Sequence, residues 1–207
     1  QADKSPEMLL VYLACARAGA VFLPLNTGYT LAEIEYFVSD AEPALVICRP
    51  ATLDAMRALG AKLGVKAVES LGTARDGTLW PKVEAASADF ETVARGPDDL
   101  AAILYTSGTT GRSKGAMLSH RNLASNSLTL VDYWRFTRDD VLIHALPIYH
   151  THGLFVATNV VLFAGASMIF QPKFDADAIM AAMPRATALM GVPTFYTRLL
   201  EHGGLTR

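Results

Sequence analysis

The sequence predicts an α/β fold of layered, mostly parallel sheets with helices on both faces. Short runs of consecutive apolar residues alternate with helical patterns along the whole 207-residue chain. Apolar runs without polar alternation are typical of strands that are buried on both faces of a parallel sheet. Because 51% of the residues are hydrophobic and only 18% are charged, the chain can bury a sizeable core.

In the first part of the chain, helices and strands alternate at short intervals. The predicted elements are a helix over 8–18, a short strand or extended segment over 21–25, a helix opened by the capping box of Thr30 and Glu33, a strand over 44–48, a helix over 53–59 and a strand over 65–68. The pattern weakens from about 69 to 97, where we predict a surface connection with one short helix near 82–88.

The alternation resumes after this connection and continues to the end of the chain. The predicted elements are a strand over 100–104, a helix over 120–134 capped by Ser119, a strand over 141–145, a helix over 153–163, a strand over 167–170, a helix from its cap Asp175 to 183, a strand over 188–191 and a last helix opened by Pro193.

Composition and charge argue against several classes of function. The net charge is −2 with no basic run, which disfavours nucleic-acid and membrane-surface partners. We find no secretory signal and no apolar run of the roughly 18 residues that a membrane span requires. Cys15 and Cys48 both lie in apolar runs and are interpreted as buried thiols of a reducing, cytoplasmic compartment. The absence of an initiator methionine and of a clear terminal cap favours part of a longer protein.

A stretch rich in glycine and hydroxyl groups, Thr106 to Gly115, follows the apolar strand over 100–104. Glycines allow backbone N–H groups to point into a concavity, and the hydroxyls and the ammonium group of Lys114 supply further donors. This chemistry suits phosphate oxygens. The Walker spacing does not apply, because Lys114 is preceded by Ser113 rather than by glycine.

A second group of polar residues, His150-Thr151-His152, lies where a strand is predicted to turn into a helix. In a parallel sheet this is the carboxyl end of a strand, where ligands usually bind. The His-x-His spacing is also compatible with a metal site that includes His144, although no carboxylate follows until Asp175. Structural histidines with satisfied hydrogen bonds are a further alternative.

The stretch from Thr106 to Gly115 closely resembles the phosphate-binding signature of adenylate-forming enzymes, which include acyl-CoA synthetases, luciferases and adenylation domains. Ser113 stands where the commoner form of the signature has proline. With the motifs that follow, the resemblance covers nearly the whole chain and is greatest to malonyl-CoA synthetases. It implies that residues 1–207 are part of the large N-terminal domain and that the C-terminal domain is absent.

The resemblance implies a role for each matching residue. The residues implied to bind ATP are Thr106, Ser107, Gly108, Thr109, Thr110, Gly111 and Lys114. Mg²⁺ is implied to bind the ATP phosphates next to Thr106. In the family's Leu-Pro-x-x-His motif the histidine forms an aromatic wall between the carboxylate and CoA channels, and this role falls on His150. Lys114 and His150 are therefore the implied catalytic residues.

A third motif runs from Gly191 to Leu200, where helical spacing puts Thr194 and Arg198 on one face. A small dicarboxylic acid brings a second charged carboxylate into its pocket, and a guanidinium is a suitable partner for it. Arg198 and His152 are our candidates for this contact, with Thr151 shaping the pocket. An Arg198 that is merely solvated and a His152 that belongs to the core remain alternatives.

The resemblance implies an ATP-dependent acid–CoA ligase of fatty acid metabolism, with malonate as the expected acid and ATP, Mg²⁺ and coenzyme A as its requirements. A fatty- or aryl-acid–CoA ligase, an inert nucleotide-binding fragment and a His-x-His metalloenzyme are the alternatives. The family's Tyr-Gly-x-Thr-Glu motif, ribose-binding aspartate and C-terminal lysine are not found up to Arg207. We therefore expect this chain alone to be weakly active or inactive.

Overall fold

The computed structural model describes residues 1–106 and 113–204 and divides into two compact units, which meet in sequence between Ala94 and Arg95. This boundary lies inside the connection predicted over 69–97. That both units belong to one N-terminal domain remains a prediction. In the described part of the chain, none of the helices is long and apolar enough to cross a membrane.

The first unit is built around a parallel pair of strands. Its elements are α1 (Pro6–Ala18), α2 (Leu31–Ala41), β1 (Leu45–Cys48), α3 (Leu53–Leu63), β2 (Ala67–Ser70) and α4 (Leu79–Ala85). β1 and β2 pair in parallel, as the alternating pattern predicted. The predicted capping box at the start of α2 is confirmed, since Thr30 Oγ1 accepts from Glu33 N and the Glu33 carboxylate accepts from Thr30 N. In the segment predicted as a strand or extended segment over 21–25, only Phe22 forms a bridge.

The core of this unit lies between α2, α3 and the two strands. Its buried members are Ile34, Val38, Cys48, Met56 and Leu59. Cys48 is fully buried, and burial raises the pKa of its thiol, in agreement with the interpretation of a buried thiol. The short helix predicted near 82–88 is shifted toward the N-terminus, at Leu79–Ala85.

The second unit begins with two strands and continues with alternating helices and strands. Its elements are β3 (Leu100–Thr106), β4 (Lys114–Ser119), α5 (His120–Trp134), β5 (Val141–His144), a π-helical segment (His152–Thr158), α6 (Asn159–Ala164), β6 (Ser167–Phe170), α7 (Ala176–Ala182), β7 (Ala188–Met190) and α8 (Pro193–Leu200). The predicted caps Ser119 and Asp175 both accept from backbone N–H groups of the helices they precede.

The main sheet of the second unit is fully parallel, in the order β6-β5-β7. Successive side chains of β5 point to opposite faces. Leu142 packs into a cluster with α6 and α5, whereas Ile143 packs with α7 and α8. Both side chains are almost completely buried. Helices therefore cover both faces of this sheet, which confirms the predicted fold class.

The antiparallel pairing of β4 with β3 was not predicted from the sequence. Ala116 and Met117 are neighbours on opposite faces of β4, yet both are exposed, and 70% of Met117 is accessible. Because this strand buries little on either face, its hydrophobic pattern does not mark it. The two strands approach closely at Gly115, where an added Cβ would lie 2.9 Å from Ile103 Cγ2 and would force a neighbouring side chain to move.

Candidate functional site

The first part of the candidate site is the end of the β3–β4 hairpin. Thr106 is the last residue of β3 and lies directly opposite Lys114, the first residue of β4. Side chains that are directly opposite in an antiparallel pair share one face, with Cβ atoms about 5 Å apart. Both residues are exposed. The hairpin therefore presents a hydroxyl and an ammonium group side by side, one at each end of the connecting segment. The predicted residues Ser107, Gly108, Thr109, Thr110 and Gly111 lie outside the described residues.

This pair has the chemistry to bind an anion. The Lys114 ammonium supplies a positive charge with three donors, and the Thr106 hydroxyl supplies a fourth donor. For Mg²⁺, Thr106 offers a single hydroxyl oxygen. One protein oxygen is enough for a cation that is coordinated chiefly by phosphate oxygens, but it is too few for a cation that is coordinated by protein ligands alone.

The metal site considered for the His-x-His motif is not formed by the described residues. Among them, no three side chains of His, Cys, Asp or Glu are grouped closely enough to hold a metal ion. His144, the suggested third ligand, directs its Nε2 to the Gly153 carbonyl oxygen at 2.8 Å. A carbonyl only accepts, so this nitrogen carries a proton and has no lone pair for a metal.

The second part of the candidate site is the carboxyl edge of the β6-β5-β7 sheet. His144 pairs with Phe170 on one side and with Met190 on the other, so the three parallel strands end together. The chain leaves this edge at three places. These lead to the loop before the π-helical segment, to the loop before α7 and to the start of α8. Two predicted motifs, around His150 and around Arg198, thus follow neighbouring strands at one edge.

His150, Thr151 and His152 form the turn that enters the π-helical segment. His150 and Thr151 are exposed and His152 is half-buried. The His150 ring packs edge-on against Tyr149, with centroids 4.7 Å apart, and the His150 carbonyl accepts from Leu154 N at 3.0 Å. Partial burial lowers the pKa of both imidazoles below the ordinary value. Burial thus favours the neutral form of both rings, which can offer a hydrogen bond.

Arg198 lies on the exposed part of α8 and is held by an aromatic contact. Its guanidinium carbon is 5.6 Å from the centroid of Phe174, which follows β6, and Phe174 packs in turn against Phe195. The structure does not bring Arg198 into a hydrogen bond with His152. Arg198 is exposed and its guanidinium lies over a ring, and its contact with a distal carboxylate stays a prediction.

Sequence reasoning missed a buried polar cluster behind this edge. His144 and Thr158 are both fully buried, and the Thr158 hydroxyl donates to the Gly153 carbonyl at 2.9 Å. Gln171, at the end of β6, is also buried, and its Oε1 has no hydrogen-bond partner among the described residues. The sequence did contain a signal for this cluster, because His144, Thr158 and Gln171 each interrupt an apolar run. A polar residue in such a run indicates a buried hydrogen bond, but it does not reveal the partner.

The fold and these motifs define a class of protein. The chain belongs to the family of AMP-binding enzymes, whose family model matches residues 1–207.

Particular relatives are closely similar. The crystal structure of apo MatB from Rhodopseudomonas palustris has 66% sequence identity to this chain and a TM-score of 0.95, and the match covers 100% of this chain and 41% of MatB. ATP-bound MatB from the same organism gives 67% identity and a TM-score of 0.96. The mitochondrial malonate–CoA ligase of Mus musculus is 34% identical over 190 residues, 89% of this chain and 32% of that protein. Indoleacetate–CoA ligase of Aromatoleum aromaticum is 37% identical over 199 residues, 91% of this chain and 38% of that ligase. The chain thus spans about a third to two-fifths of the length of these relatives.

Proposed function

We propose that this chain is the N-terminal portion of an ATP-dependent acid–CoA ligase that acts on malonate. The observation that carries the proposal is the likeness of the entire chain to ATP-bound MatB, at 67% identity and a TM-score of 0.96. The choice of malonate is supported by the similarity to a malonate–CoA ligase along 89% of this chain.

The proposed reaction has two steps. In the first, a carboxylate oxygen of malonate attacks the α-phosphorus of ATP, the bond to the leaving pyrophosphate breaks, and malonyl-AMP forms. In the second, the CoA thiolate attacks the carbonyl carbon, the bond to AMP breaks, and malonyl-CoA is released. No side-chain nucleophile is required in either step. The protein's contribution is to align the reactants and to stabilise the charge that develops on the phosphates.

We assign the triphosphate to the end of the β3–β4 hairpin. Lys114 neutralises charge on the β- and γ-phosphates and stabilises the departing pyrophosphate, while the Thr106 hydroxyl donates from the opposite strand. Ser107, Gly108, Thr109, Thr110 and Gly111 complete the proposed phosphate loop, as the resemblance implies. A bound Mg²⁺ supplies Lewis-acid stabilisation of the phosphate oxygens, with Thr106 as its proposed protein neighbour.

We assign the acid to the carboxyl edge of the β6-β5-β7 sheet. His150 is the proposed wall between the acid and CoA channels, and Thr151 shapes the acid pocket. We assign the positive charge that meets the distal carboxylate to Arg198, and a hydrogen bond to His152. The Phe174 ring lies beside the guanidinium, 5.6 Å from its carbon, and we propose that the N–H groups of Arg198 bind the distal carboxylate.

The remaining parts of the proposal concern the whole enzyme. We place adenine, ribose and the C-terminal lysine outside this chain, on the rest of the protein. A malonyl-CoA product would enter fatty acid metabolism. Both cysteines are free thiols, which fits a reducing compartment, and we propose the cytoplasm as that compartment.

An aryl-acid–CoA ligase is the second candidate, because the identity to indoleacetate–CoA ligase is 37%, slightly above that to the malonate ligase of Mus musculus. The test is a panel of acids with the protein expressed from the complete reading frame that contains this chain. We expect kcat/KM for malonate to exceed that for indoleacetate and octanoate by at least about a hundredfold, since a site built around a charged partner rejects acids that lack the second carboxylate. A higher kcat/KM for indoleacetate would favour the second candidate, and a higher kcat/KM for octanoate would favour a fatty-acid ligase.

A further inference from the structure

A fully buried hydrogen-bonded cluster lies directly behind the turn that carries His150 and His152. His144 comes from the end of β5 and Thr158 from the end of the π-helical segment, and both are 0% exposed. Their side chains meet at one backbone atom, the carbonyl oxygen of Gly153. His144 Nε2 lies 2.8 Å from this oxygen and Thr158 Oγ1 lies 2.9 Å from it.

The geometry fixes the donor roles. Because a carbonyl oxygen only accepts, His144 Nε2 carries its proton, and the Thr158 hydroxyl donates to the same oxygen. Nε2 is also 3.1 Å from Thr158 Oγ1, so its N–H is shared between the carbonyl and the hydroxyl oxygen. The Gly153 carbonyl thus accepts from two buried side chains, within a segment that is wound as a π-helix.

The cluster is tightly coupled to the turn in front of it. An added Cβ on Gly153 would lie 1.9 Å from the Pro147 carbonyl oxygen, so the start of the helix is pressed against the loop that leaves β5. The His150 carbonyl accepts from Leu154 N at 3.0 Å. The turn is therefore tied at two successive helical residues, at Leu154 through its N–H and at Gly153 through its carbonyl.

We propose that His144 and Thr158 are positioning residues that set the orientation of His150 and His152 toward the acid substrate. This inference rests on the proposed function of the site. Neither side chain reaches the surface, so neither touches the substrate. Loss of the Thr158 hydroxyl leaves the Gly153 carbonyl with one buried donor fewer, which allows the π-helical turn to rewind and moves the two imidazoles.

The test uses Thr158→Val and Thr158→Ser in the enzyme expressed from the complete reading frame. We expect T158V to raise KM for malonate about tenfold, the equivalent of one buried hydrogen bond, while KM for ATP stays within twofold. T158S keeps the hydroxyl and should restore KM for malonate to within about threefold of the parent enzyme.

Ser127→Ala is the matched control. Ser127 is also fully buried and donates to a helical carbonyl, that of Leu123 at 2.6 Å, but this bond lies within α5 and does not involve the Gly153 carbonyl. We expect S127A to lower thermal stability with KM for malonate unchanged. A T158V enzyme with the parent KM for malonate, or one in which KM for ATP and malonate rise together, would overturn the positioning role.

A second measurement needs no activity and separates the two proposals. In ¹H–¹⁵N spectra of the histidine rings of the complete protein, we expect His144, assigned by its absence in His144→Gln, to carry its proton on Nε2. The ring signals of His150 and His152 should shift in T158V but not in S127A. Absence of malonyl-CoA synthesis with these shifts present would refute the proposed function alone. A proton on His144 Nδ1, or unshifted rings in T158V, would refute the positioning role alone.

Discussion

Gly153 is the position at which one added methyl group should disturb both the fold and the candidate site. In Gly153→Ala the new Cβ would lie 1.9 Å from the Pro147 carbonyl oxygen, 2.8 Å from the Pro147 carbonyl carbon and 3.3 Å from Leu146 Cβ. Two of these contacts are far inside van der Waals separation, and both involve backbone. No rotation of a flexible side chain can relieve them.

The expected cost follows from this geometry. Overpacking a dense interior costs about 1–3 kcal/mol, and we place this substitution at about 3 kcal/mol because backbone must move. For a chain of this size, each kcal/mol lowers Tm by about 2–4 °C, so the predicted decrease for Gly153→Ala is roughly 6–12 °C.

The assay is thermal unfolding followed by tryptophan fluorescence. The sequence contains two tryptophans, Trp80 and Trp134, so a Trp80→Phe background leaves Trp134 of α5 as the reporter of the second unit. Gly96→Ala is the control, since its nearest heavy atom would be 3.8 Å from the new Cβ. We expect G96A to melt within about 2 °C of the parent protein. A G153A protein that melts with the control would refute the reasoning from close packing at this turn.

Three further predictions concern the complete enzyme and its pH dependence. Lys114→Ala should lower kcat for adenylation about 10²- to 10³-fold, because it removes the charged donor that we assign to the phosphates. Lys66→Ala, which removes another exposed lysine, should leave kcat unchanged. Steady-state pyrophosphate release measures both variants, and equal rates in the two would exclude the phosphate role of Lys114. Arg198→Met should raise KM for malonate about a hundredfold and Arg198→Lys less, since lysine keeps the charge but loses the planar fork; an unchanged KM in both variants would remove Arg198 from the acid pocket. The pKa of His152 in the folded protein is lowered below about 6.5, so the unfolded chain binds this proton more readily and the free energy of unfolding should fall as the pH drops from about 7 through the folded pKa. In denaturant titrations, His152→Asn should flatten this dependence on pH. An unaltered dependence in the variant would contradict the lowered pKa.

The elements that the sequence predicted well are those with a local signal. The capping box of Thr30 and the caps Ser119 and Asp175 are set by side chains that bond to their own helix within three residues. The buried strand β5 is marked by its apolar run. Such features can be recognised without knowledge of the remainder of the fold.

The elements that the sequence did not reveal depend on contacts between distant residues. β4 has two exposed faces and exists because its backbone pairs with β3, which no local pattern indicates. The predicted helix over 153–163 is π-helical up to Thr158, and the side chains of His144 and Thr158 both donate to the Gly153 carbonyl oxygen. The spacing of polar residues located the edge of the sheet correctly, but it could not show that Arg198 stacks on Phe174.

The central claim is that this chain carries the triphosphate-binding part of an enzyme that adenylates malonate. Exchange of radiolabelled pyrophosphate into ATP, with the protein from the complete reading frame and without CoA, tests it most directly. The account predicts exchange that requires malonate and falls at least about a hundredfold in Lys114→Ala. Exchange that is absent with malonate, or that is equally rapid in the Lys114→Ala protein, would contradict it.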